Sequence, residues 1–208
     1  MSNDKNKTYS VGKKVLARIY GHKRGWVFTP ESFKELGSRD AIASALKRHK
    51  KDGLIRQLAR GLYDYPRMDA ELGVLSAPSD AIAKALAGRD ALRLQPSGAY
   101  AANLLGLSTQ VPMKVVYLTD GRSRTVHVGN RQIILKQTSP RNMATAGKIS
   151  GLVIQALRYL GQQHVDREMI ARLDRRLDDA ARKQLMKDIR YAPGWVADIF
   201  RHLAKGDF

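Results

Sequence analysis

Residues 38–65 constrain the fold of this chain more than any other part of the sequence. Four apolar residues in the first half of this stretch lie at helical spacing, and Gly53 ends the pattern: Ala41, Ile42, Ala45 and Leu46. The second half holds two short apolar segments, residues 54–58 and 62–65, separated by Ala59-Arg60-Gly61. A glycine in so short a connection is typical of a hairpin. The stretch therefore predicts a helix that is followed at once by a two-stranded ribbon.

The segments before this stretch complete a recognisable order. Residues 9–22 have the apolar spacing of a helix, and residues 26–28 predict a short strand. Thr29-Pro30-Glu31 has the composition of a helix start, which predicts a second helix that ends at Gly37. The order is helix, strand, helix, helix, strand, strand. This order is typical of a winged helix-turn-helix, in which the third helix enters the major groove of DNA.

The predicted third helix and its ribbon carry the candidate DNA-binding residues. These are polar or cationic side chains on the helix and on the ribbon: Arg39, Ser44, Lys47, Arg48, Lys51, Arg56 and Arg60. We expect Arg39 and Ser44, which lie toward the helix start, to contact base edges. We expect Lys47, Arg48 and Lys51 to contact phosphates, and Arg60 to contact phosphate or the minor groove.

The charge of the chain also indicates a polyanionic partner. The formal net charge is +18, and residues 1–66 carry half of it, with fifteen Lys and Arg against six Asp and Glu. Nucleic acid is the commonest partner for such a surface, with an anionic membrane or an acidic protein as alternatives. The sequence has no apolar run of the ~18 residues that a membrane span needs and no signal-peptide pattern. We therefore expect a cytoplasmic protein.

The rest of the chain predicts a second, α+β domain. Residues 79–86 and 99–105 have helical patterns, and residues 91–95 predict a short strand. Three period-two segments then follow, and the turn dipeptides between them predict an antiparallel meander: residues 114–118, 125–128 and 132–137. From Ala144 onward the pattern is helical. The predicted organisation is a winged helix over residues 1–66, a linker over 67–77 and a second domain over 78–208.

No pattern in the sequence indicates catalysis, a cofactor or a metal site. The five histidines do not stand at metal-ligand spacing, and His49 is expected to be partly solvated on a helix flank. The absence of cysteine excludes disulfides and thiolate metal sites. The aromatic residues near the basic ones are expected in the core rather than stacked on bases: Trp26, Phe28, Tyr63 and Tyr65. We therefore expect a binding protein and not an enzyme.

Two blocks of sequence resemble a known family. They are SRDAIASALKRHKKDGLIRQLARGLYDYP and LQPSGAYAANLLGLSTQVPMKVVYLTDGRSRTVHVGNRQIILKQTSPR. Both are similar to the AbiEi-like antitoxins of abortive-infection (type IV) toxin–antitoxin systems, in a DUF6088-like branch classed as a domain of unknown function. The second block is the more specific, because PSGAYAANLLGLSTQVP and YLTDG follow one another in it.

The resemblance implies a function for each predicted domain. In this family an N-terminal winged helix binds the promoter of its own operon and represses it. A C-terminal domain counteracts a partner toxin of nucleotidyltransferase fold. The implied DNA-binding residues are those of the third helix and Arg60, and the resemblance implies no catalytic residue.

Two other functions remain open from the residues alone. One is a stand-alone transcription regulator whose second domain senses a small ligand, which requires an enclosed pocket between the meander and the helix at Ala99. The other is a nucleic-acid enzyme, which requires a cluster of metal-binding acidic residues.

Overall fold

The structure is a computed structural model, and it describes residues 10–88 and 93–205. The chain is an α+β protein that divides into two compact units, Met1–Arg89 and Asp90–Phe208. The first unit holds three α-helices and five short strands in the part described, with these bounds: α1 Val11–Gly21, β1 Val27–Phe28, α2 Arg39–Lys51, β2 Arg56–Ala59, β3 Leu62–Asp64, β4 Met68–Asp69, β5 Gly73–Val74 and α3 Ser79–Ala87.

The second unit, as far as it is described, holds four strands and six α-helices: β6 Leu94–Ser97, α4 Gly98–Leu104, β7 Lys114–Thr119, β8 Arg124–Val128, β9 Arg131–Gln137, α5 Pro140–Met143, α6 Ile149–Leu160, α7 Arg167–Asp174, α8 Asp179–Lys187 and α9 Gly194–Lys205. Of the predicted strand 91–95, residues 91 and 92 lie outside the described residues. The strand that the structure shows there extends to Ser97.

The first unit has the predicted winged-helix order. Its sheet is antiparallel with the strand order β1-β3-β2, so that Tyr63 of β3 pairs with Phe28 on one side and Gln57 on the other. Helices α1 and α2 pack together over a core that includes Val15, Ile19 and Phe28, each fully buried. The wing is the β2–β3 hairpin.

The second predicted helix is a 3-10 helix rather than an α-helix, Pro30–Leu36. It begins at Pro30, as the Thr-Pro-Glu pattern predicted, and the backbone N–H of Thr29 donates a hydrogen bond to Ser32 Oγ at 3.4 Å. The core side chains of this segment are Phe33 and Leu36, which are three residues apart. Because a 3-10 helix has three residues per turn, both side chains lie on the same side of it.

The boundary between the two units lies after Arg89 rather than after residue 66, which corrects the predicted linker and second domain. The expected linker 67–77 contains the β4–β5 hairpin, in which Met68 pairs with Val74. Helix α3, assigned to the second domain from the sequence, packs beside β1 and buries Ile82 and Ala83 completely. Packing against β1 removes the apolar surface of α3 from water, which explains why this helix belongs to the first unit.

The sheet of the second unit is not an antiparallel meander. Its strand order is β6-β7-β9-β8, and β7 and β9 are parallel neighbours. The Gly129-Asn130 turn does join β8 and β9 as a hairpin. The Asp120-Gly121 connection does not join neighbouring strands. The Asp120 carboxylate in it accepts hydrogen bonds from the backbone N and Nε of Arg93, both at 3.0 Å. This contact holds the loop at the start of β6, and β9 lies between β7 and β8.

Helix α6 is the centre of the second unit. It contacts α4 and α8, and its apolar residues join a core to which α9 contributes Phe200. The carboxylate of Asp188, 3% exposed, accepts hydrogen bonds from Ser150 on α6, from Lys148 and from Gln184 on α8. Burial alone would raise the pKa of Asp188, but these hydrogen bonds together lower it below its usual value. The charged carboxylate therefore links α6 to the end of α8.

One glycine is required for the approach of α6 to β6. A Cβ atom at Gly151 would overlap the backbone carbonyl of Thr145 and the side-chain oxygen of Gln95. We predict that Gly151→Ala lowers the free energy of unfolding of the second unit by about 1–3 kcal/mol, because neither backbone nor a buried glutamine yields easily. Urea denaturation followed by the fluorescence of Trp195, in a chain whose other tryptophan is replaced by phenylalanine, measures this value.

Gly194 at the start of α9 is the matched control. A Cβ atom there meets no atom within 4 Å, and its φ is not in the left-handed region. We expect Gly194→Ala to be neutral or stabilising by about 0.4–1 kcal/mol. Equal stability of the two alanine variants would contradict the close packing at Gly151.

Candidate nucleic-acid interface

The orientation of α2 is set by which of its sides is buried. Ser38 caps the helix, since its Oγ accepts a hydrogen bond from the backbone N of Ala41 at 3.3 Å. Its inner side is buried in the core of the first unit: Ile42, Ala45, Leu46 and His49. The opposite side is exposed, and we call it the outer face of α2: Asp40, Ala43, Ser44, Lys47 and Lys51.

His49 lies on the inner side of α2. The sequence analysis had placed it on a partly solvated flank of the helix, and that prediction was wrong. Its side chain is 7% exposed, and its Nε2 has no hydrogen-bond partner among the residues that the structure describes. His49 follows Ala45 and Leu46 by four and three residues, which places it on the same stripe. Its backbone carbonyl accepts a hydrogen bond from Leu54 at 3.0 Å, which turns the chain toward β2.

Two cations at the edges of α2 brace the helix. The guanidinium group of Arg48 lies against Gly12 of α1, at the place that a Cβ atom would occupy. Lys50 Nζ donates a hydrogen bond to Gln57 Oε1 of β2 at 2.7 Å. Arg48 therefore contacts the neighbouring helix, but its side chain is exposed, and its contact with phosphate stays a prediction. Together the two side chains hold α2 between α1 and the wing.

The wing turn presents Arg60 to solvent. Gly61 has φ +71°, a conformation that glycine adopts without strain, and the strand register shifts between Gln57 and Ala59. Arg60 stands beside this glycine and is exposed. In the described part of the chain its side chain makes no hydrogen bond or ion pair.

Arg56, another predicted DNA-binding residue, is held inside the first unit. Its Nε and Nη2 donate to the two carboxylate oxygens of Asp64 at 3.1 and 2.6 Å, and Nη2 also donates to the carbonyl of Leu75 at 3.0 Å. Asp64 is 1% exposed. The hydrogen bond to Asp64 raises the pKa of Arg56 above its usual value, against the effect of burial. Arg56 thus neutralises a buried carboxylate and joins the wing to the segment after β5.

Six of the seven predicted site residues are exposed, and the seventh, Arg56, is held inside the first unit. Ser44, Lys47 and Lys51 share the outer face of α2, Arg39 is exposed at the first residue of the helix, and Arg60 is at the wing turn. None of the four cations in this set has a hydrogen-bond or ion-pair partner within the ranges described. The sequence reasoning did not count Asp40 and Ala43 as site residues. Asp40 lies four residues before Ser44 and Ala43 four residues before Lys47, and this spacing is the signal that places them on the same face.

The aromatic residues near these cations are structural, as predicted. Phe28 and Tyr65 are buried, and Trp26 and Tyr63 pack half-buried against the same core. Arg24 lies 4.7 Å from the centroid of the Tyr65 ring and donates to the carbonyl of Pro66 at 3.0 Å. These contacts close the end of the sheet opposite the wing turn.

Residues 10–88 and 93–205 contain no group of three or more His, Cys, Asp or Glu side chains placed to hold a metal ion. Over the same residues, no helix combines the length and the apolar character that crossing a membrane would require.

The sequence of the chain matches the model of one known protein family. A family model described as "Family of unknown function (DUF6088)" matches residues 14–185. The chain belongs to the DUF6088 family. This match spans both units, from α1 to α8. No curated protein matches this DUF6088 chain.

A solved structure is similar in fold to this DUF6088 protein. It is the crystal structure of the RV2827C protein from Mycobacterium tuberculosis, with a TM-score of 0.47 and 14% sequence identity. The similarity covers 95% of the present chain and 77% of the RV2827C chain.

The different contacts of Arg56 and Arg60 predict that only the substitution of Arg56 changes stability. Arg56→Gln leaves the buried Asp64 carboxylate without its partner, so we predict a loss of about 2 kcal/mol or more in the stability of the first unit. This value is below that of a fully buried pair because the Arg56 side chain is 35% exposed. Arg60→Gln removes an equal charge and should leave stability unchanged. Thermal unfolding followed by Trp26 fluorescence, in a chain whose Trp195 is replaced by phenylalanine, measures both. Equal melting temperatures would refute the structural role of Arg56.

Proposed function

We propose that this DUF6088 protein is a cytoplasmic double-stranded DNA-binding protein that represses its own promoter. The observation that carries the proposal is the placement of unpaired cations on two adjacent elements, the outer face of α2 and the β2–β3 turn. Such an arrangement suits a duplex, because a helix in the major groove brings a wing to the neighbouring backbone.

The dimensions of α2 support the proposal. A helix with its side chains is about 10–12 Å across, and the major groove is about 12 Å wide. Helix α2 has thirteen residues and is braced at both edges. A rigid helix of this size can enter the groove without rearrangement of the first unit. The two lysines of its second half then lie where the helix leaves the groove, near the phosphates.

Removing the two outer-face lysines should weaken binding in a salt-dependent way. We predict that Lys47→Gln with Lys51→Gln reduces the slope of log affinity against log salt by about 0.9 for each lysine, because each phosphate contact releases counterions. Fluorescence anisotropy with a labelled duplex from the upstream promoter, at several salt concentrations, measures the slope.

The control removes the same charge elsewhere in the first unit. Lys34 in the 3-10 helix and Lys84 on α3 are exposed and lie outside α2 and the wing. Lys34→Gln with Lys84→Gln should change the slope much less. If both double variants bind with the same slope, the outer face of α2 is not the DNA-binding surface.

The proposal includes an antitoxin function for the second unit, and this part depends on the resemblance to AbiEi-like antitoxins. The second unit would counteract a toxin of nucleotidyltransferase fold by stoichiometric binding and not by catalysis. Its internal packing supports this role over that of a ligand sensor. Where a sensor would need a pocket, Ala101 and Ala102 of α4 are fully buried against α6, and the Tyr100 ring lies 5.6 Å from that of Tyr117 on β7.

The two functions should separate in the full-length chain. We predict that the Lys47→Gln, Lys51→Gln protein loses repression of a promoter reporter but still restores growth when the adjacent reading frame is expressed as the toxin. The physical reason is that α2 belongs to the first unit, whereas neutralisation is assigned to the second. Reporter activity and growth in the same strain measure both. Loss of growth rescue in this variant, at equal protein level, would contradict the assignment.

A further inference from the structure

The outer face of α2 changes in character from its start to its end. Its first half carries small or short side chains, Asp40, Ala43 and Ser44, and its second half carries Lys47 and Lys51. Short side chains let the helix backbone come close to the bases, whereas long cations reach back to the phosphates. The first half is therefore the part of α2 that is suited to contact base edges, in keeping with other recognition helices.

Asp40 is an unexpected residue on such a surface. Its carboxylate is exposed, and its side chain has no hydrogen bond or ion pair with any residue described here. The positions that could neutralise it one turn later hold Ala43 and Ser44 rather than lysine or arginine. A carboxylate close to DNA is repelled by every phosphate. It is tolerated in an interface only where it meets a hydrogen-bond donor.

The donors that a carboxylate meets in the major groove are exocyclic amines, and the usual partner of Asp or Glu is N4 of cytosine. We infer that Asp40 is a specificity-determining residue that selects cytosine at one position of the recognised site. The inference rests on the proposed DNA-binding function. The carboxylate accepts the hydrogen bond of cytosine N4–H. At guanine and thymine it faces only acceptors or a methyl group, and at adenine the N6 donor lies beside the N7 acceptor, which repels a carboxylate. Asp40 thus lowers affinity for wrong sequences as well as contributing to the right one.

Selection from a randomised duplex library tests the inference without knowledge of the operator. The wild-type full-length chain should select a motif with a cytosine that Asp40→Asn does not select. Because asparagine pairs with adenine through N6 and N7, the Asp40→Asn motif should show adenine at that position. Asp40→Ala should lose the preference without gaining adenine. In direct binding, the wild-type chain should prefer cytosine at that position by roughly 5- to 150-fold.

Asp52 provides the matched control. It is the exposed residue that follows α2, at the opposite end from Asp40, and its cap interactions are made by its backbone N–H. Asp52→Asn removes the same charge and should strengthen binding to any duplex without changing the selected motif. This control separates a base contact from a general change in electrostatics.

Each other outcome overturns the inference. An identical motif for wild type and Asp40→Asn, with or without a small change in stability, means that Asp40 only interacts with the N-terminal end of the helix dipole. A motif that changes equally in Asp40→Asn and Asp52→Asn means that charge alone is responsible. If the wild-type chain binds duplexes with no selected motif, the specificity role fails while DNA binding stands. If it binds no duplex, the proposed function fails with it.

Discussion

The burial of one side of α2 is the interaction on which the candidate interface depends. Ile42 and Leu46 lose nearly all of their exposed surface against a core that includes Phe28 and Phe33. Burial of each such side chain contributes about 1.5–3 kcal/mol to the free energy of unfolding, relative to an exposed position. Rotation of α2 by a third of a turn would bring polar residues into this core, where they would lack hydrogen-bond partners. The apolar stripe therefore decides which residues form the outer face, although none of its members contacts a ligand.

Net charge overstates how many cations the first unit offers to a polyanion. Arg56 is paired with a buried carboxylate, Arg48 lies over Gly12, and Lys50 is bound to Gln57. These three residues are cations of the kind found on DNA-binding surfaces, but each contacts another part of the first unit. Their contacts help to fix the position of α2 relative to the wing. Both elements can contact one duplex at the same time only if that position is fixed. The cations that remain unpaired in the described residues are fewer, but they stand on a rigid frame.

The sequence predicted most of the first unit, because local signals and the fold agree there. The Ser38 cap, the apolar stripe of α2 and the glycine at the wing turn each specify one conformation. The features that the sequence analysis missed depend on contacts between residues that are far apart in the sequence. The parallel pairing of β7 and β9 cannot be read from turn dipeptides, since β9 lies between β7 and β8 and a dipeptide does not show which strand enters there. The pairing of Arg56 with Asp64 likewise becomes evident only when β2 and β3 lie side by side.

Because the free cations are few, other residues of the candidate interface must supply the discrimination between DNA sequences. Besides Arg48, which lies against Gly12, four cations are unpaired on or beside α2 and at the wing turn among the residues described. Four phosphate contacts correspond to a salt slope of about −3.6 for one copy of the chain. That electrostatic contribution is modest and independent of sequence. Discrimination between sites must then come from the part of α2 that can reach the bases, where Asp40, Ala43 and Ser44 stand. In the proposed function the outer face of α2 separates two tasks. Its short residues Asp40, Ala43 and Ser44 select the sequence, whereas Lys47 and Lys51, with Arg39 at the helix start, provide affinity.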